Sequence, residues 1–269
     1  MEAATAQPET GKTKPGAPPV LYHLEISHYN EKVRWALDHK GIPHVRKAPP
    51  PMMHMAWGLV MTGKPTFPVL RLNGKAIGDS TRIIEALEER YPQAPLYPGD
   101  PAERRRALEL EDHFDEELGP YIRRWLFHVA LEGLEPGEFL DGALGSTPRA
   151  IKAAMRATAP VGVRMLKLRY GINPEDAEVA RQKIEAALDR VEAELQPSDY
   201  LVGDRFSVAD LTAAALLFPL VRPPETPRMM PPPLPPAFES FRDSASGHAG
   251  FRWAQEMYTR HRGRSAAIS

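Results

Sequence analysis

Residues 67–77 leave this chain the least conformational freedom. Phe67-Pro68-Val69-Leu70-Arg71-Leu72 is followed by Asn73-Gly74 and then Lys75-Ala76-Ile77. Asn and Gly both tolerate positive φ, so an Asn-Gly pair between apolar runs predicts a β-hairpin closed by a tight two-residue turn. The elements before and after it follow from hydrophobic spacing. Val20-Leu21-Tyr22-His23-Leu24 is a short apolar run after a proline cluster and reads as a buried strand. Val33, Ala36 and Leu37 recur at helical spacing, with Gly41 placed as a C-cap. Ile42 to Arg46 reads as a second strand, residues 52–62 as a short, weak helix, and Ile83, Ile84, Leu87 and Tyr91 as an amphipathic helix that Pro92 ends. The order strand–helix–strand–helix–strand–strand–helix, over about 75 residues, is a small α/β domain at 20–98. Its crossovers imply parallel pairing first and its hairpin antiparallel pairing afterwards.

From residue 99 onward the long elements read as helices, giving an all-helical domain at 99–262. Asp100-Pro101-Ala102-Glu103 supplies an N-cap, a proline in the first turn and an acid. Leu108, Phe114, Leu118, Ile122, Trp125 and Val129 continue one apolar face, which Gly119-Pro120 is expected to kink. Residues 132–146 read as a loop. Thr147-Pro148 is expected to start a helix ending at Gly171, and Asn173-Pro174 to start the next. Ser207-Val208-Ala209-Asp210 resembles a capping box, with Phe206 and Leu211 as its hydrophobic staple. The helix it opens, 208–218, is apolar nearly all round and belongs at the centre of the domain. A proline-rich excursion at 219–236 and a final helical pair complete the chain. Residues 1–19 read as a disordered tail, too poor in apolar side chains to pack, and 263–269 as a second tail.

The chain has 269 residues, a formal net charge of -1 and no cysteine. Near-neutrality argues against a nucleic-acid binder. Without cysteine there is no disulfide framework, no thiolate metal site and no cysteine nucleophile, which argues against a thiol–disulfide reductase. His23, His28, His39 and His44 match no standard metal-ligand spacing, so no metal is expected. The start lacks the apolar core of a signal peptide, and the longest apolar stretch, 211–221, is too short to span a bilayer. No membrane association and a cytoplasmic location are the expectation.

Several landmarks occur together in the order found in glutathione transferases. Residues 27–37, Ser-His-Tyr-Asn-Glu-Lys-Val-Arg-Trp-Ala-Leu, resemble that family's first loop and helix. Thr66-Phe67-Pro68-Val69-Leu70 resembles its turn into the third strand, Gly78-Asp79-Ser80-Thr81 its acid–serine step, and residues 207–210 the buried N-cap motif of its helical domain. The resemblance spans roughly 20–262 and is nearest to the cytosolic, serine-type classes. It implies a thioredoxin-like domain, with a mixed four-stranded sheet and three helices, joined to an all-α helical bundle. It also implies glutathione as co-substrate, a small hydrophobic electrophile as acceptor, a detoxification role and a homodimer.

The chemistry such a site needs is stabilisation of a sulfur anion, because a free thiol has a pKa of about 8.5. Ser27 could donate a hydrogen bond to the thiolate at the positive end of the first helix, or could simply cap that helix. One charge-assisted bond of about 1.5–3 kcal/mol shifts a thiol by about one to two units. The resemblance makes the Phe67-Pro68 bond cis, turning the Phe67 backbone toward the ligand. It assigns Ser80 to the γ-glutamyl carboxylate and Asp79 to the ammonium beside it; a plain N-cap is the alternative. Thr66 and His54 are further candidates for contacts to the peptide. Tyr29, Tyr121, Arg124, Trp125 and His128 are candidates for the acceptor side. The methionines at 52–61 read as core packing or as a flexible pocket lining. A fold match does not by itself bring the activity, so a non-catalytic binding protein and a transferase using another thiol are the alternatives.

Overall fold

A computed structural model describes residues 17–49, 53–134, 156–226 and 234–268, with 149, 153 and 230. The N-terminal unit holds β1 (Val20–Tyr22), α1 (His28–His39), β2 (His44–Lys47), α2 (Met53–Thr62), β3 (Val69–Leu72), β4 (Lys75–Gly78) and α3 (Ser80–Arg90). β1 runs parallel to β2 and antiparallel to β3, and β3 pairs antiparallel with β4. Asn73 and Gly74, with φ of 50° and 81°, form the hairpin turn between Leu72 and Lys75. Gly41 follows α1 at φ 61° in the left-handed region, and the Ile42 N–H returns to the Leu37 carbonyl.

The helical unit holds α4 (Pro101–Glu117), α5 (Gly119–Gly133), α6 (Ala159–Tyr170), α7 (Pro174–Glu194), α8 (Val208–Val221), α9 (Pro236–Ser246) and α10 (Ala249–His261). α4 and α5 are separated at Leu118, where the Gly119-Pro120 kink was expected. Gly119 is required there: a Cβ would lie 2.1 Å from the Tyr29 hydroxyl, so only glycine lets α1 come this close. The Thr147-Pro148 helix start lies outside the described residues, but Gly171 closes α6 in the left-handed region as expected. α8 is buried along its whole length and packs against α1, α4 and α10. Asp210 reaches back from its first turn to accept from the Ser207 N–H.

Three features depart from the sequence expectations. The sheet has five strands, ordered β4-β3-β1-β2-β5. The fifth, β5 (Ala267–Ile268), comes from the segment read as a tail and pairs in parallel with β2. α8 runs through Pro219 to Val221 instead of stopping at 218, because packing on all sides holds the helix across the missing N–H. α2 is mostly exposed: Met53 is 47% exposed and Val60 87%, so the methionine segment is not core. Only Gly58 is buried in α2, pressed so tightly on the backbone that a Cβ would sit 2.6 Å from the Lys64 carbonyl oxygen.

Candidate functional site

The register of the sheet assembles one end of the N-terminal unit. Tyr22, the last residue of β1, pairs with Val69, the first of β3, and Val69 pairs with Gly78, the last of β4. The segments that flank these three residues therefore meet at the same sheet end: the loop leading to Ser27, the bond before Val69, and the step from Gly78 into α3. These are the three segments singled out in the sequence. α2 adds its side chains at the same place. Trp57 meets Tyr22 edge-on at 5.8 Å, and His54 meets Phe67 edge-on at 5.8 Å.

Ser27 is the N-cap residue of α1, with extended backbone (φ -89°, ψ 128°) and no capping bond from its side chain. Its carbonyl accepts the first helical bond, from the Glu31 N–H. The hydroxyl thus lies at the positive end of a helix without being spent on that helix. The Phe67-Pro68 bond is cis. Asp79 stands at φ 78° as the N-cap of α3, and its carboxylate accepts from the Thr81 and Arg82 N–H groups. Ser80 is buried in the first turn of that helix, while Thr66 is exposed. His54 is half-buried, its Nδ1 has no partner among the described residues, and burial together with Arg169 lowers its pKa.

The helical unit closes the other side. His28 follows Ser27 directly, is 3% exposed, and its Nε2 has no hydrogen-bond partner among the described residues. Burial and the nearby Arg123 charge bring its pKa down to about 3, so the imidazole is neutral. Arg123 lies one turn beyond Gly119 on α5. Its guanidinium stands 4.6 Å from the Tyr170 ring centre, and its buried Nε lacks a partner among the described residues. Phe127, a further turn along, meets the same Tyr170 ring at 5.5 Å. Arg169 stands 5.5 Å from that ring as well.

Two of the acceptor residues expected from the sequence, Tyr29 and Trp125, are taken up by other parts of the fold. The Tyr29 hydroxyl donates to the Asp115 carbonyl at 2.7 Å, so this side chain ties α1 to α4 instead of lining a pocket; burial and Asp115 raise its pKa well above the usual tyrosine range. Trp125 is 4% exposed and packs on Phe238 and Phe241, which makes it a core residue. Arg124 Nε donates to the Tyr170 carbonyl at the end of α6, and its guanidinium lies over Tyr121. Tyr121 is also approached by Lys183 of α7. His128 is half-buried on the same helix. Two residues at this place were not among the expected site residues: His28, read only as one of four histidines without a metal spacing, and Arg123. The available signal was periodicity: 119, 123 and 127 share a helix face, and the glycine marks the face that another element approaches closely.

Two family models match the chain: the glutathione S-transferase N-terminal domain over residues 21–95 and the glutathione S-transferase C-terminal domain over 153–243. Among curated relatives, FtsZ-localized protein A of Caulobacter vibrioides is 28% identical over 207 residues, covering 73% of this chain and 75% of that protein. A glutathione S-transferase of Triticum aestivum is 36% identical over 125 residues, 46% of this chain and 58% of the wheat protein. The crystal structure of the beta-etherase LigF from Sphingobium sp. strain SYK-6 superposes with a TM-score of 0.55 at 21% identity, over 89% of this chain and 99% of that one.

Proposed function

This chain belongs to the glutathione S-transferase superfamily, and we propose that it is a glutathione-dependent transferase in which Ser27 stabilises the thiolate. The observation that carries this reading is the Ser27 hydroxyl at the start of α1, which makes no capping bond with the helix. A donor placed there, with the helix N–H groups behind it, favours the anionic form of a bound thiol. The cis Phe67-Pro68 bond and the buried Ser80 lie at the same sheet end and supply backbone and side-chain groups for the rest of the tripeptide. Asp79 keeps its capping role, with one carboxylate oxygen used by the helix and the other left for an ammonium. The reaction is attack of the thiolate sulfur on an electrophilic carbon held between the two units, in a homodimer.

Calorimetric titration of glutathione near pH 7 tests this. Wild type is expected to bind with release of a proton, and Ser27→Ala to bind without that release. Absence of binding at millimolar glutathione defeats the reading. A partner-binding role without catalysis then takes its place. That second reading is favoured by the long match to a protein named for its FtsZ localisation, and by the exposed Leu59 and Val60 of α2.

A further inference from the structure

Several arginines of the described residues are committed to carboxylates. Arg46 pairs with Asp38, Arg181 with Glu178 and Glu185, and Arg262 with Glu31 and Asp38. Arg123 and Arg169 are not, and Arg123 is half-buried where the other described arginines without an ion pair or hydrogen bond are exposed. Among the described residues neither makes an ion pair or a hydrogen bond; each rests against the Tyr170 ring, at 4.6 and 5.5 Å. The Arg123 Nε is buried and unpartnered, and so is the Nε2 of His28 beside it. Unmet donors on a half-buried cation are costly unless a ligand completes them. The adjacent Arg124 shows the contrast: one position along the helix, it has found the Tyr170 carbonyl.

We propose that the cleft beside Ser27 takes an acceptor that carries a carboxylate next to an apolar or aromatic body, the carboxylate held by Arg123 and Arg169 and the body by Tyr170 and Phe127. This rests on the thiol-transfer reading and narrows its acceptor from a hydrophobic electrophile to an anionic one. A planar guanidinium matches a carboxylate through two parallel N–H···O bonds, which an apolar acceptor leaves unused. The Phe127–Tyr170 pair, at 5.5 Å, offers the aromatic surface for the rest of the molecule. The position also separates this group from glutathione's own ends. Arg123 neighbours His28, one residue from the thiol end at Ser27, whereas the candidate carboxylate site of the tripeptide is at Ser80 on α3.

The test uses the full chain and three probes. Phenylbutyrate and phenylbutanol share a body and differ in the carboxylate; glutathione itself, which carries nothing beyond its thiol, reports the glutathione site. Wild type is expected to bind phenylbutyrate at least tenfold more tightly than phenylbutanol. Arg123→Gln should erase that preference, Arg169→Gln reduce it, and Arg123→Lys keep part of it. Glutathione should bind wild type and Arg123→Gln equally. Equal affinity for the two phenyl probes overturns the proposal, as does a preference that survives in Arg123→Gln. So does a parallel loss of glutathione binding in that variant, which would assign the arginine to glutathione itself. If glutathione fails to bind while the carboxylate preference holds, the anion site stands and the glutathione reading falls. Arg169 is exposed, so its variant keeps the test valid even if Arg123→Gln unfolds.

Discussion

Asp210 shows how much one side chain can hold. It is 0% exposed and accepts from the Leu201 N–H at 2.8 Å, the Ser207 N–H at 2.9 Å and the Ser207 hydroxyl at 2.8 Å. Burial pushes its carboxyl up to about 6 against the pull of those donors. Asp210→Ala leaves three buried donors without an acceptor, at about 1–3 kcal/mol each before relaxation. The expected loss is about 3 kcal/mol or more, read as a lowered urea midpoint with an unchanged slope. A loss below about 1 kcal/mol would mean that water replaces the carboxylate. The spacing of Ser207 and Asp210 was enough to anticipate this contact, because a cap is a local device within one turn. Ser27 was equally visible as a residue before a helix, but whether its hydroxyl capped that helix was a matter of backbone and rotamer geometry. His28 was visible only as a histidine without a metal spacing, and Arg123 not at all, because what marks each is a missing partner, which can be recognised only in three dimensions.

At the scale of elements, α1 and β5 depend on each other. Asp38 on α1 accepts two bonds from Arg46 of β2, one from Arg262 after α10, and one from the Ala266 N–H that leads into β5. Glu31, one face along, holds Arg262 at 2.6 Å and Arg34 at 2.8 Å. Burial opposes the Asp38 charge, but Arg46 and Arg262 outweigh it and hold its pKa below the usual aspartate value. The sign follows from linkage. A lowered folded pKa contributes stability above the unfolded value of about 3.9, and this is lost as the pH falls through the folded value. Acid should therefore release the C-terminal segment below about pH 4. Asp38→Asn should mimic this at neutral pH, with hydrogen exchange at 266–268 accelerated at least tenfold while the amides of α8 stay protected. Unchanged exchange at β5 would show that strand pairing alone retains it. Two residues with no hydrophobic pattern of their own could not announce a strand; the sheet edge and the Asp38 carboxylate decide it.

Across the whole molecule, α1 is the joint. Lys32 is 0% exposed and lies 2.8 Å from Glu111 and 2.6 Å from Asp115 of α4, while Thr81 of α3 donates to Asp115 at 2.8 Å. Burial alone would lower the Lys32 pKa, yet the two carboxylates raise it, so the ammonium stays charged. Burial raises the Glu111 pKa, with Lys32 opposing it. Lys32→Met strands two carboxylates in the contact between the units and should cost about 3–5 kcal/mol. Lys32→Met combined with Glu111→Met should recover part of that loss, because the buried charge is removed with its partner. Denaturant unfolding of both variants checks the order. A single variant more stable than the double would show that Lys32 does not serve to neutralise Glu111.

The sequence by itself determined what is periodic or local: the Asn-Gly hairpin, the glycine stop after α1, the apolar α8 with its buried acid, and the order of elements that marks the superfamily. Each depends on residues within a turn or a few turns of one another, where spacing translates directly into geometry. The tertiary structure alone decided the fifth strand, the burial of Lys32, Glu31 and Asp38 in one helix, and the partners that Tyr29 and Trp125 meet. It also decided that Arg123, not Arg124, keeps unmet donors beside the start of α1. The physical reason is common to all four. A charged or polar side chain takes its role from the partner it meets across the fold, and that partner lies tens or hundreds of residues away along the chain.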